Sequence, residues 1–154
     1  MAVIGLDFNG TCVTYDYPKA VGRDIGAVPV LRRLLEAGHE FVLMTCLTPA
    51  NHSVHVRKDL YDEMIEWFRK NNIPIIGVNV NPYQDPVEFP PHSGKVRCDL
   101  YIDDHSLGIP LMIDTELSER EFVDWEATEI MLEENGFLPY YKVYQQNRKA
   151  NEKV

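Results

Sequence analysis

Short apolar runs alternate with stretches of helical periodicity along most of the chain, and few folds other than a parallel sheet flanked by helices accept that order. Residues 3–8 (VIGLDF) are the first run, which stops at Asp7-Phe8-Asn9-Gly10-Thr11, where polar and small residues end a strand. Residues 27–37 place Val30, Leu31, Leu34 and Leu35 at helical spacing, with Pro29 tolerated in the first turn and Gly38 as the stop. Residues 40–44 (EFVLM) form a second buried strand that ends at Thr45. Residues 56–71 carry Leu60, Met64, Trp67 and Phe68 on one face, the pattern of an amphipathic helix, and residues 75–80 form a third strand. The segment 81–94 holds four of the ten prolines and is a loop. Residues 99–102 (DLYI) make a fourth strand ending in Asp103 and Asp104, and residues 111–113 a short fifth. Ser118 and Glu121 have capping-box spacing for a last helix through Val123, Ala127 and Ile130 that stops at Gly136. Its acidic outer face is expected to be solvated surface. The order predicts an α/β three-layer sandwich with a mainly parallel sheet.

With 154 residues, 45% of them hydrophobic, the chain has the size of one domain, expected over residues 1–140, followed by a weakly apolar tail, 141–154. Fifteen basic residues against 24 acidic ones leave a net charge of −9, which argues against nucleic acid as a partner and requires any bound phosphate to meet a local positive site. No apolar run approaches the roughly 18 residues that read as a membrane span, and MAVIGLDF lacks a basic leader, so a cytoplasmic protein is expected. Three cysteines without a C-x-x-C pair fit reduced thiols. The histidines show no metal spacing beyond His52-Ser-Val-His55, which is read as incidental, and His105 is placed beside the acids.

In open parallel sheets the strand C-termini meet along one edge, where ligands bind at the point of reversed strand order. Asp7, Asn9, Thr45, Asp103 and Asp104 all fall at such ends. Carboxylates from two strands suit Mg²⁺, a hard ion that takes one or two protein carboxylates and leaves its other positions to water and phosphate.

Asp-x-Asn-Gly-Thr after one strand, Thr45 after the next, Lys95, and Asp103-Asp104 after a further strand stand in a fixed order. In that order the sequence resembles the haloacid dehalogenase-like superfamily, over residues 3–108, and its small members without a cap domain in particular. The resemblance implies a Rossmann-like fold and a Mg²⁺-dependent phosphohydrolase working through a phospho-aspartate. Asp7 would be the nucleophile; Asp7, the Asn9 carbonyl and Asp103 would hold Mg²⁺, with Asp104 supporting the metal site. Lys95 would add positive charge beside Asp7, its spacing to Asp103 favouring it over Lys58. Thr45 would donate its hydroxyl to phosphate, and the backbone N–H groups of the turn Phe8, Gly10 and Thr11 would do likewise, with Cys46, next to Thr45, also in the substrate-binding set. The implied partner is a small phosphorylated molecule such as a nucleotide or sugar phosphate, and an open, uncapped site leaves room for a second copy of the chain as a lid.

Asn9 departs from this pattern, because most phosphatases of the family carry Asp there to protonate the leaving oxygen and then activate water. An amide does neither, so turnover is expected to fall by the roughly 10² to 10⁴ that such help contributes. Asn9 is read either as a natural replacement, giving a weakened enzyme or a non-catalytic module that binds a phosphate ligand or a partner, or as an introduced one that holds a substrate or intermediate in place.

Overall fold

The computed structural model describes residues 1–47, 59–88 and 94–140. The elements are β1 (Val3–Leu6), α1 (Ala27–Glu36), β2 (Glu40–Leu43), α2 (Leu60–Lys70), β3 (Ile75–Val78), β4 (Leu100–Ile102), β5 (Leu111–Met112), β6 (Phe122–Val123) and α3 (Trp125–Glu134). Four strands form a parallel sheet in the order β3-β2-β1-β4, the Rossmann-like α/β architecture that the alternation predicts. β1 lies between two neighbours and is covered on both faces, which is why all four of its residues are buried and why it reads as a continuous apolar run.

The chain moves outward from β1 through β2 to β3 and then returns to the far side of β1. Right-handed crossovers place the connections of the outward path on one face and the return on the other. One face accordingly packs Ile4, Leu6, Phe41 and Leu43 against Leu31 and Leu34 of α1, Met64 and Phe68 of α2, and Leu132 of α3. On the opposite face Val3 and Val42 meet Val96 and Cys98 of the β3–β4 connection, the third layer. Tyr101 ties that layer down, its hydroxyl donating to the Val96 carbonyl (2.6 Å) and accepting from the Cys98 N–H (3.1 Å). Its ring lies where a side chain at Gly5 would stand, a Cβ there falling 2.8 Å from Tyr101 Cδ1.

Three expectations change. Ser118 does not cap the last helix; its hydroxyl accepts from the Arg120 N–H in a local turn, and α3 starts at Trp125, capped by Asp124, whose carboxylate accepts from the Ala127 N–H. Phe122 and Val123 are buried and pair antiparallel with β5, and this tertiary demand overrides the local capping signal. The run 111–113 therefore belongs to a separate two-stranded sheet. The acidic face of α3 is also not wholly solvated: Arg33 of α1, 5% exposed, reaches Glu129, Glu133 (2.9 Å) and the Pro139 carbonyl (2.7 Å). His52, His55, Lys58, His92, residues 56–58 of the expected second helix and the tail lie outside the described residues. No described helix is long and apolar enough to cross a membrane.

Candidate active site

Strand order reverses between β1 and β4, and both strands deliver acids to that edge. Asp7 follows β1, its N–H donating to the Ile102 carbonyl (3.0 Å) at the tip of β4, and Asp103 follows directly. After Asp7 the chain folds into a tight turn in which the Cys12 N–H donates to the Phe8 carbonyl (2.8 Å) and the Gly10 N–H to the Val13 carbonyl (2.8 Å). The Phe8 ring anchors the turn in the core, meeting Trp67 edge to face at 5.5 Å and Phe68 at the same distance. Gly10 has φ +84° and is buried, and a Cβ there would stand 2.3 Å from Asp104 Oδ2. Glycine is required twice over, by the left-handed backbone and by the carboxylate that occupies its side-chain space.

The fully buried Thr11 links the two acidic strand ends. Its hydroxyl donates to Asp7 Oδ2 (2.9 Å) and accepts from the Asp104 N–H (2.9 Å). The turn is held from outside by β6 and the first residue of α3: the Val123 N–H donates to the Gly10 carbonyl (2.9 Å) and the buried Trp125 Nε1–H to the Thr11 carbonyl (2.7 Å). On the β2 side, the Asn79 side chain accepts from the Thr45 N–H (2.9 Å) and donates to the Thr45 carbonyl (2.7 Å). The Thr45 hydroxyl accepts from the Leu47 N–H (3.0 Å), which leaves its own proton to donate.

These elements enclose a cavity of about 270 Å³ lined by Asp7, Asn9, Thr45, Cys46, Asp103 and Asp104, and also by Tyr15, Tyr17, Leu47 and His105. Burial pushes the Asp7 carboxyl up to about 7; hydrogen bonds from the Phe8 N–H and the Thr11 hydroxyl oppose the rise, while the charges of Asp103 and Asp104 add to it. Burial also raises Asp104, against the pull of His105. His105 is raised, chiefly by its bond to Asp104 Oδ1 (2.7 Å) and by that residue's charge. Asp103, Asp104 and His105 offer ligand atoms that all lie within 4.8 Å of one another. Carboxylate oxygens gathered in one pocket, with Asp7 resisting ionisation, are a donor set suited to a hard divalent cation.

The cavity brings together six residues that the sequence nominates. Phe8 and Thr11 take other parts: the Phe8 side chain is core and its N–H serves Asp7, while Thr11 positions the acids. The expected phosphate contacts from the turn are corrected at Gly10 and Thr11, whose N–H groups are spent on Val13 and Phe8 carbonyls because the turn closes on itself. Lys95 lines a second cavity, of about 340 Å³, with Met44, Asn79, Asn81 and Gln84, since it sits on the connection covering the far face of the sheet. Asn79, Trp125, Tyr15 and Tyr17 escape sequence reading. Asn79 alone carries a local signal, an Asn directly after a strand, with a φ of 53° that ends it.

No family model matches the chain, and no curated protein does. Among solved structures it is similar to that of a conserved protein from Bacteroides thetaiotaomicron, at 29% identity and a TM-score of 0.62, covering 87% of this chain and 91% of the other.

Proposed function

We propose that this chain is a small, cap-less member of the haloacid dehalogenase-like superfamily, a cytoplasmic Mg²⁺-dependent phosphohydrolase acting through Asp7. The observation that carries the reading is the convergence of Asp7, Asp103 and Asp104 on one cavity at the sheet's switch point, with Thr11 bonded to both acidic strand ends. An Asp7 carboxylate oxygen attacks phosphorus, the ester P–O bond breaks, and the alcohol leaves with a proton from water. Water then attacks the acyl phosphate and releases inorganic phosphate and Asp7. Thr45 donates its hydroxyl to a phosphoryl oxygen, and Thr11 and the Phe8 N–H aim the attacking carboxylate. Mg²⁺, held by Asp7, Asp103 and the Asn9 carbonyl with Asp104 in support, would offset repulsion between carboxylate and phosphate and favour ionised Asp7. Asn9 supplies neither acid nor base, so both steps run slowly.

A second reading, a phosphate-binding module without turnover, is favoured by Asn9 and by the position of Lys95 in the neighbouring cavity. Asn9→Asp separates the two. The enzyme reading expects Mg²⁺-dependent hydrolysis of an aryl phosphate that rises roughly 10²-fold or more over the parent chain and disappears when Asp7→Asn is added. Turnover unaffected by Asp7→Asn rejects the nucleophile, and phosphate binding without turnover in every variant selects the module.

A further inference from the structure

Besides the acids, the cavity lining holds an aromatic and apolar set, Tyr15, Tyr17 and Leu47. The two tyrosine rings meet edge to face, 6.4 Å apart at 75°. Tyr15 is held in turn by Arg120, whose guanidinium carbon lies 4.2 Å from the ring centroid. Tyr17 also packs on the main core, so the wall is fixed in place by its surroundings. Rigid tyrosines of this kind give contact area at small entropic cost and favour stacked or edge-on rings.

We propose that the substrate is a phosphomonoester of a small alcohol bearing a flat ring and no second anionic group, with Tyr17 and Tyr15 as the specificity-determining residues. This rests on the phosphohydrolase reading, which puts the phosphoryl group at the acids and leaves Tyr15, Tyr17 and Leu47 to meet the alcohol. Size supports it: about 270 Å³ is room for a phosphoryl group and one ring. Charge bears on it as well: among the described lining residues three are carboxylates and none is lysine or arginine, so a second anionic group held at those residues would be repelled.

Titration calorimetry of the full chain in Mg²⁺, with benzylphosphonate and cyclohexylmethylphosphonate as matched ligands that cannot be hydrolysed, tests the assignment. The flat ring is expected to bind about 2- to 10-fold more tightly, the span of an aromatic pair. Tyr17→Leu, which keeps the wall apolar, is expected to bring the two Kd values together while leaving the Kd of inorganic phosphate unchanged. Equal affinities in the parent chain, or an undiminished preference in Tyr17→Leu, overturn the proposal even if that phosphate binds. Failure of inorganic phosphate and both phosphonates to bind removes the phosphohydrolase reading along with it.

Discussion

Asp7 sits in a position that disfavours its own charge, and that property is measurable without knowing the substrate. Its carboxyl is raised from 3.8 to about 7 by burial, so the folded chain holds a proton that the unfolded chain has already released. The stability this contributes is fully present below about pH 4 and is lost as pH rises through about 7, by an amount on the order of 2–4 kcal/mol. Asp7→Asn, neutral throughout, is therefore predicted to raise Tm in chelator near pH 8 and to change it little near pH 4, with added Mg²⁺ shrinking the difference by stabilising the parent. A variant that melts like the parent at both pH values contradicts the burial effect. Gly10→Ala combines a left-handed backbone with a Cβ placed against Asp104, and a loss of roughly 2–4 kcal/mol in urea unfolding is expected. Asp7, Thr45, Asp103 and Asp104 are legible in the sequence because a strand tip is a local feature. The roles of Phe8 and Thr11 are not, because burial decides them: a motif's spacing says nothing of which atoms a turn spends on itself.

Among elements, α3 does more for the site than its distance in sequence implies. Trp125 Nε1–H bonds the Thr11 carbonyl across 114 residues inside the core, so Trp125→Phe strands a buried acceptor and loses volume. A cost of roughly 2–3 kcal/mol is predicted, together with weaker Mg²⁺ affinity by titration, although the residue touches neither metal nor phosphate. Unchanged affinity would show that the turn keeps its shape alone. Arg33, which joins α1 to α3, is predicted to lower stability by roughly 1–3 kcal/mol when changed to Met, less than for a fully buried pair because Glu129 is partly exposed. Urea unfolding at neutral pH checks it, with Glu129→Gln expected to be milder. The helices α1 and α2 are legible from their apolar spacing. The start of α3 is not, because Ser118 and Glu121 make a plausible cap locally, while the burial of Phe122 and Val123 is decided by partners elsewhere.

For the whole molecule, the alternation of runs is enough to predict a parallel sheet, but not that β4 returns beside β1, which brings Asp103 within reach of Asp7. Nor does sequence spacing place Lys95, whose neighbours are set by how the β3–β4 connection lies over the far face. The central claim is that Asp7 takes the phosphoryl group, and an ester whose leaving group needs no protonation makes this direct to test: without a base at Asn9 the second step is then the slower one, and the intermediate accumulates. The parent chain is incubated with 4-nitrophenyl phosphate and Mg²⁺, quenched in acid and analysed by peptide mass spectrometry. The account predicts a phosphoryl adduct on Asp7 that chelator and Asp7→Asn both abolish. A phosphoryl group on another residue, or none while inorganic phosphate is released, contradicts it.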